Sequence, residues 1–213
     1  MATKKQIKQR VADLKEYDKA YYTTTEPLIS DSKYDDLRKE LQKWDPNNEY
    51  FDDVGASVLD GEKYTHTEPM LSTSKTWDAE QLQNFVDRVI KEAKEVGVKT
   101  VSFKVTPKLD GMAGKYKKGV LATRGNGRTG NVVTHVFDLG VVAIDGRKDG
   151  VGEIVMSQKY FDQYLSDEFA HPRNVVIGAV NADTIRPSIT KTLKAGKIHF
   201  VRYATLPTWT GSC

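Results

Sequence analysis

Apolar residues recur at helical spacing in three segments of the first half of the chain. The segments cover about 4–22, 30–46 and 78–97, and polar or charged residues occupy the positions between the apolar ones. Such spacing is typical of amphipathic helices that bury one face. We therefore predict three helices, the second of which begins near Ser30 or Asp31.

Capping motifs accompany the second and third predicted helices. Ser32 and Asp35 fit a capping box in the second helix. Asp78 and Gln81 fit one at the start of the third helix, which Gly97 is predicted to end. The residues that this third helix is predicted to bury are Leu82, Phe85, Val86, Val89, Ile90 and Ala93.

The hydrophobic period changes to two beyond Lys99. Alternation of apolar and polar residues predicts half-buried strands. The predicted strands lie near 100–106, 112–117, 119–123, 151–156 and 197–204, with a short helix at about 158–166. Helices followed by a run of strands indicate an α+β fold with a largely antiparallel sheet.

A segment without clear periodicity, 46–68, separates the first two helices from the rest. Its turn-forming residues are Pro46, Asn47, Asn48, Gly55 and Gly61, which indicate a linker or an extended arm. We therefore expect a small helical domain at 1–58 and a larger α+β domain at 59–213.

The composition excludes several classes of protein. The 213 residues carry 32 basic and 29 acidic side chains, and the net charge of +3 does not by itself indicate a nucleic-acid partner. Cys213 is the only cysteine, so a disulfide framework or a cysteine metal site cannot form within the chain, which fits a reducing interior. No apolar run is long enough for a signal peptide or a membrane span. The four histidines lack metal-ligand spacing, so no metal ligand is assigned.

Aromatic and acidic residues come together where the first two helices meet. Asp31, Tyr34 and Asp35 stand at i, i+3 and i+4, so they project from the same helical turn. Tyr21 and Tyr22, at the end of the preceding helix, can face them. Such a group can hold a sugar or a cationic ring. The other interpretation, an aromatic helix–helix contact with solvated acids, is favoured by spacing alone.

A lysine, a Gly/Arg turn and an acidic residue follow one another in the strand-rich half. Lys108 stands at the end of predicted strand 100–106, and Thr123–Gly130 contains three glycines and two arginines. Backbone N–H groups in such a turn, together with Arg124, suit a phosphate. Glu153 lies on a later predicted strand, where it can orient a divalent metal or hold a ribose hydroxyl.

These residue types suit nucleotidyl transfer through a lysine. A lysine amine with its ordinary pKa of about 10.4 is protonated at neutral pH, and neighbouring cations or burial would lower that pKa. Neutral Lys108 could then attack an α-phosphate, with Arg124 stabilising the developing charge. The chemistry equally allows Lys108 to be a solvated strand-end lysine. For Arg128, a solvated hairpin turn is the favoured interpretation.

A basic group precedes the Gly/Arg turn. Its members, Lys115, Lys117 and Lys118, together with Arg124 and Arg128, suggest a surface that flanks an active site and contacts DNA phosphate. A solvated sheet edge accounts for the same residues equally well.

Several motifs, in their order along the chain, resemble those of NAD-dependent, bacterial-type DNA ligases over about residues 10–190. The motifs are Asp31–Leu37, Val54–Ala56, Pro69–Ser72, Lys108–Gly111, Thr123–Gly130 and Pro172–Asn174. Lys108–Gly111 has the K-x-D-G form of covalent nucleotidyltransferases. The element Asp31–Asp35 resembles the family's helical domain that binds the nicotinamide mononucleotide (NMN) half of NAD, which ATP-dependent ligases lack.

The resemblance implies a helical NMN-binding domain followed by a nucleotidyltransferase (covalent ligase) domain that is incomplete at its C-terminus. It implies that Lys108 is the adenylated lysine, Arg124 a nucleotide-binding arginine and Glu153 the glutamate of the third motif. The other implied cofactor-binding positions are Tyr21, Tyr22, Asp31, Tyr34 and Asp35 for NMN, and Ser72, Thr73 and Thr106 for the nucleotide. The implied cofactors are NAD and Mg²⁺.

The sequence also departs from the family pattern. Thr106 replaces a glutamate, Tyr22 a histidine, Val151 an arginine and Asn126 an aspartate. The family's later motifs and DNA-binding domains have no counterpart in these residues. We therefore expect weak or no nick sealing by this chain alone. The later motifs and DNA-binding domains would come from a second ligase subunit, or the chain would be a piece of a longer ligase.

The expected function is NAD-dependent sealing of nicked double-stranded DNA, in the cytoplasm of a bacterium or of a host cell if the chain is phage-encoded, without a membrane partner. The alternative is a catalytically degenerate module that binds NAD or a protein partner, which Thr106, Asn126 and Val151 motivate. A third interpretation, an ATP-using nucleotidyltransferase, is disfavoured by the Asp31–Asp35 element.

Overall fold

The chain forms two compact units. One contains Met1–Met70 and Leu109–Leu206, and the other contains Leu71–Lys108. The computed structural model describes residues 2–23, 28–51, 61–71, 74–181 and 185–206, without the side chains of 21–23 and 31.

After an initial helix pair, the chain contains both runs of strands and runs of helices. The helices are α1 (Lys4–Thr23), α2 (Asp31–Trp44), α3 (Ala79–Glu95), α4 (Val136–Leu139), α5 (Gln158–Tyr164), α6 (Pro172–Asn181) and α7 (Pro187–Lys194). The strands are β1 (Lys63–Thr65), β2 (Met112–Lys117), β3 (Val120–Thr123), β4 (Thr129–Asn131), β5 (Val142–Ala143), β6 (Gly150–Met156) and β7 (Ile198–Arg202). Short 3-10 helices cover Glu49–Phe51 and Tyr203–Thr205.

The helix pair α1 and α2 forms where the apolar spacing predicts it. Leu14 and Leu41 are completely buried between the helices, and Tyr50 from the following 3-10 helix joins them. The cap of α2 differs from the prediction. Ser30 is the N-cap and its side chain accepts a hydrogen bond from the Lys33 N–H. The predicted capping box was wrong because the helix begins at Asp31, which places Ser32 inside the first turn.

The predicted α+β fold is confirmed by a five-stranded sheet with the strand order β3-β2-β6-β7-β5. The pairs β2–β3, β2–β6 and β6–β7 are antiparallel, and β5–β7 is parallel. A separate two-stranded ribbon joins β1 to β4. The prediction of a largely antiparallel sheet therefore holds.

One face of this sheet carries the main hydrophobic core. Met112, Ile154 and Phe200 are paired in register on β2, β6 and β7, and all three are buried. Val175 and Val176 of α6 are buried in the same cluster. Because successive residues of a strand point to opposite faces, the residues next to these three project from the other face of the sheet.

The second unit contains α3 and an extended segment. The predicted cap of α3 is confirmed, because the Asp78 carboxylate accepts a hydrogen bond from the Gln81 N–H at 2.8 Å. The predicted burial is wrong: none of the described α3 residues is buried, and the side chains of Leu82 and Phe85 are exposed. Phe85 makes an edge-to-face contact with Phe103 at 6.3 Å between ring centroids.

The predicted strand near 100–106 is also wrong. Residues 98–110 are described and contain no strand. An alternating pattern becomes a strand only when a neighbouring strand takes up its hydrogen bonds, and no described residue pairs with this segment. Val105 is consequently 60 % exposed although the pattern assigned it to a buried face.

Candidate functional site

Arg124 and Glu153 lie on the same face of three neighbouring strands. Ala113 of β2 is paired with Glu153 of β6, and the Arg124 N–H donates to the Ala113 carbonyl oxygen at 2.9 Å. Residues paired in this way lie side by side on one face of a sheet. Arg124 and Glu153 therefore share the face opposite the hydrophobic core, about two strand spacings, or ~10 Å of backbone, apart.

Tyr203 extends this row and was not identified from the sequence. Val201 is paired with Glu153, and Tyr203 follows two residues later. The Tyr203 hydroxyl donates a hydrogen bond to Glu153 Oε2. Burial raises the pKa of Tyr203, the bond to Glu153 raises it further, and Arg124 lowers it. The signal available in the sequence was the period of two that places Tyr203 on the Glu153 face.

The Gly/Arg turn is a tight hairpin. Gly125 has a φ of 55°, and a Cβ there would lie 1.9 Å from the Thr129 carbonyl oxygen. Only glycine fits a position that combines a left-handed backbone with such a close approach. The Asn126 side-chain oxygen accepts hydrogen bonds from the N–H groups of Arg128, at 3.0 Å, and Thr129, at 2.8 Å. An aspartate would accept the same bonds, so the departure at Asn126 preserves the turn.

The segment 66–70 forms backbone hydrogen bonds to this turn. The N–H groups of His66 and Met70 donate to the carbonyl oxygens of Arg128 and Gly127 at 2.8 and 2.7 Å. The His66 ring is buried, and its Nε2 lies 3.0 Å from the Thr123 carbonyl oxygen. Burial is the main cause that lowers the pKa of His66 below its ordinary value.

The K-x-D-G motif is divided between the two units. Lys108 is exposed and belongs to the second unit, whereas Asp110 and Gly111 belong to the first. A Cβ at Gly111 would lie 1.9 Å from the Ile154 carbonyl oxygen, so glycine lets this segment approach β6 next to Glu153.

Asp110 is held by the beginning of α6. Its carboxylate lies 3.1 Å from Arg173 Nη1 and 3.8 Å from His171 Nε2. The motif Pro172–Asn174 therefore contacts the K-x-D-G motif through an ion pair. Asp110 is half exposed, and exposed ion pairs of this kind add at most about 1 kcal/mol, so the contact orients more than it stabilises.

A polar cluster on the helix pair includes Tyr34, one of the residues predicted to bind NMN. The Tyr34 hydroxyl donates to Asp18 Oδ1 at 2.6 Å, and the Tyr50 hydroxyl donates to Asp18 Oδ2 at 2.8 Å. The two hydroxyl oxygens are 2.9 Å apart. Asp18 and Tyr50 were not identified from the sequence, because their separation along the chain hides their contact with Tyr34.

The remaining predicted site residues are placed in part. Asp35 and Thr106 are half-buried, on α2 and in the second unit respectively. Five predicted positions lie outside the described residues or outside the described side chains: Tyr21, Tyr22, Asp31, Ser72 and Thr73.

The proposed basic surface loses a member. Lys115 is 8 % exposed, and its Nζ lies 3.2 Å from the carboxylate of Glu68, whose own side chain is exposed. Lys117 donates to the Thr67 hydroxyl at 3.2 Å. The placement of Lys115 on an exposed basic surface was therefore wrong, because Lys115 lies in the buried middle of β2.

Metal-binding clusters and membrane-spanning helices are both absent from the part of the chain that the structure describes. In that part, no group of three or more His, Cys, Asp or Glu side chains is arranged to hold a metal ion. None of its helices is both long and apolar enough to span a bilayer.

The fold and site define an α+β protein with an N-terminal helix pair and an Arg–Glu–Tyr row on its sheet. The family model for the NAD-dependent DNA ligase adenylation domain matches residues 60–206. The model for the DNA ligase-like, N-terminal NAD⁺-binding domain matches residues 1–50. The chain therefore belongs to the family of NAD-dependent DNA ligases.

Relatives named DNA ligase support this assignment. The protein from Desulfatibacillum aliphaticivorans is 44 % identical over 93 % of this chain and 32 % of its own length. Those from Psychromonas ingrahamii and Shewanella baltica are 37 % and 33 % identical over 93 % and 91 % of this chain, and each is matched over 31 % of its length. The chain thus spans about a third of the length of these relatives.

Proposed function

We propose that this chain is the NAD-binding and adenylating part of a DNA ligase, with a helical NMN-binding domain at 1–58 and the adenylation domain at 59–213. Lys108 Nζ, as the neutral amine, attacks the adenylyl phosphorus of NAD. A phosphorus–nitrogen bond forms, the bond between that phosphorus and the bridging oxygen breaks, NMN leaves with the electron pair, and the amine loses a proton. AMP then passes to the 5′-phosphate of a DNA nick, and the 3′-hydroxyl displaces it.

The observation that carries the proposal is the Arg124–Glu153–Tyr203 row beside Gly111, the last residue of the K-x-D-G motif. Gly111 approaches β6 at Ile154, the residue after Glu153, and Lys108 precedes Gly111 by three positions in the sequence. A guanidinium suits the charge of a phosphoryl group in transfer, and a carboxylate suits a ribose hydroxyl. The donor and acceptor set of the site thus fits the adenosine monophosphate half of NAD.

The helix pair is proposed to bind the other half of NAD. Tyr34 and Asp35 supply an aromatic ring and a carboxylate there, which fits the cationic nicotinamide ring and its ribose. The other residues proposed for NAD by family position are Tyr21, Tyr22, Asp31, Ser72, Thr73 and Thr106.

Mg²⁺ belongs to the proposal only as an ion that enters with the nucleotide. Magnesium is commonly held by one or two carboxylates together with substrate phosphates and water. Because the described residues give no protein-only metal cluster, we assign no ligand and derive no step from the ion.

The proposed partners follow from the family. Nicked double-stranded DNA is the proposed substrate, and the cytoplasm is the proposed location of the reaction. Since the relatives are about three times as long as the stretch matched here, we propose that further polypeptide, in a second subunit or in the same protein, completes nick sealing.

Two arginines of the Gly/Arg turn offer a matched test. Arg124 lies in the row with Glu153, whereas Arg128 is exposed on the same turn. We expect Arg124→Ala to slow NMN release from NAD by roughly 10²-fold or more, because it removes a preorganised group that stabilises charge in the transition state. We expect Arg128→Ala to change the rate of NMN release little. The assay uses the chain with the remaining two-thirds of a relative ligase supplied in trans. Equal rates for both variants would contradict the proposed site.

A further inference from the structure

Three oxygen-bearing groups close a triangle inside the helix pair. Tyr34 of α2, Asp18 of α1 and Tyr50 of the 3-10 helix place their side-chain oxygens 2.6, 2.8 and 2.9 Å apart. Tyr50 is 5 % exposed and belongs to the same buried cluster as Leu14 and Leu41. Residues from three separate elements therefore meet at the Tyr34 hydroxyl.

The number of hydroxyl protons in the triangle decides whether the Tyr34 hydroxyl can donate a hydrogen bond to a ligand. An ionised Asp18 only accepts hydrogen bonds, and the two tyrosines have one hydroxyl proton each. Both protons are used within the triangle, because Tyr34 donates to Asp18 and Tyr50 donates to Asp18 or to Tyr34. Burial is the main cause that raises the pKa of both phenols, so both remain neutral at physiological pH. The Tyr34 hydroxyl has no proton left to donate to a ligand.

We propose that Asp18 and Tyr50 are positioning residues that fix the ring of Tyr34 for the NMN half of NAD. The inference rests on the proposed role of Tyr34 in NMN binding. With its hydroxyl tied to Asp18, Tyr34 offers a ligand its aromatic ring, and an aromatic face attracts a cation such as the nicotinamide ring. A ring held at its hydroxyl end loses little further freedom when the ligand binds, which increases affinity.

Apolar packing alone does not explain the triangle. Leu14 and Leu41 already join the two helices. A carboxylate at a half-buried position stabilises the fold only when its hydrogen bonds are satisfied, and an apolar residue there carries no such condition. The bonds to Tyr34 and Tyr50 satisfy that condition and at the same time fix the tyrosine ring.

The test measures binding of two probes, NMN and AMP, to the full chain by calorimetry. We expect Tyr50→Phe and Asp18→Asn each to weaken NMN binding roughly three- to tenfold, the effect of one lost hydrogen bond, while AMP binding stays unchanged. The matched control is Tyr17→Phe, which removes a hydroxyl from the residue next to Asp18 on α1 and is expected to change neither affinity. A purely structural role would weaken both probes or neither.

A third variant separates this inference from the proposed function. If Tyr34→Ala leaves NMN affinity unchanged, or if the wild type does not bind NMN, the proposed role of Tyr34 is wrong and the positioning role falls with it. If Tyr34→Ala weakens NMN binding but Tyr50→Phe does not, only the positioning role is wrong. Should Asp18→Asn fail to fold by circular dichroism, Tyr50→Phe decides the question by itself.

Discussion

At the scale of single residues, the Glu153 carboxylate is buried on β6 and accepts a hydrogen bond from a neighbouring phenol. Tyr203 donates a hydrogen bond to it, and Arg124 contributes a positive charge nearby. Removing a donor from a buried acceptor costs more than the net value of the bond, because part of the desolvation of the acceptor is then no longer compensated.

We predict that Tyr203→Phe lowers the free energy of unfolding by about 1–3 kcal/mol. The phenyl ring keeps the packing, so the loss reports the hydrogen bond to Glu153. Urea unfolding measures it. Tyr164→Phe is the control, since Tyr164 is 60 % exposed and is expected to change stability by less than about 0.5 kcal/mol. An unchanged stability of Tyr203→Phe would contradict the bond.

The buried His66 is expected to make the stability of the fold depend on pH. Its pKa is lowered mainly by burial and also by Lys115, so the unfolded chain binds a proton at a higher pH than the folded chain does. The stability contributed by neutral His66 is therefore present above pH about 6.5 and is lost as the pH falls from there through the folded pKa.

We expect the unfolding free energy of His66→Gln to depend less steeply on pH between about 7 and 5 than that of the wild type. Glutamine can still donate to the Thr123 carbonyl oxygen that His66 contacts. Urea unfolding at several pH values gives the slopes. Burial also lowers the pKa of His199, so His199 leaves a residual slope in the variant. Identical slopes would rule out His66 as a source of the dependence.

Sequence patterns predicted the candidate site residues that belong to motifs and missed the residues that contact them from distant parts of the sequence. Arg124 and Glu153 were predicted from residue type and position. Tyr203, Asp18 and Tyr50 were missed because each contacts its partner across a long sequence separation, which periodicity does not report.

At the scale of secondary-structure elements, the Gly/Arg turn between β3 and β4 depends on one side chain. Asn126 accepts two backbone hydrogen bonds within the turn. We predict that Asn126→Ala lowers the free energy of unfolding by about 1–2 kcal/mol and that Asn126→Asp retains most of the stability, since a carboxylate accepts the same bonds. Thermal unfolding of the three proteins compares them. Equal losses in both variants would contradict the role of the side-chain oxygen.

The elements differ in how well local patterns predicted them. The helices α1, α2 and α3 were predicted because apolar spacing and capping residues are local signals. The strand near 100–106 was not formed, since a strand depends on a partner that its own residues do not specify. The same limit applies to the apolar face of α3, whose burial requires something to pack against it.

At the scale of the whole molecule, a helix pair that contains Tyr34 and a sheet that carries Arg124 and Glu153 belong to the same compact unit. Motif order predicted the family, and the family models match both parts of the chain. The sequence could not predict how Asp110 is held by Arg173 or how Gly111 approaches Ile154, because these contacts depend on the packing of α6 and β6. The chain covers about a third of the length of its relatives, so the proposed adenylation step is tested on this chain separately from nick sealing.

The central claim is that Lys108 accepts AMP from NAD. The measurement is the intact mass of the chain after incubation with NAD and magnesium, for the wild type and for Lys108→Ala, with and without the remaining part of a relative ligase in trans. We predict that the wild type gains one AMP and that Lys108→Ala gains none. An AMP adduct that persists in Lys108→Ala, or no adduct on the wild type even with the remaining part present, would contradict the account.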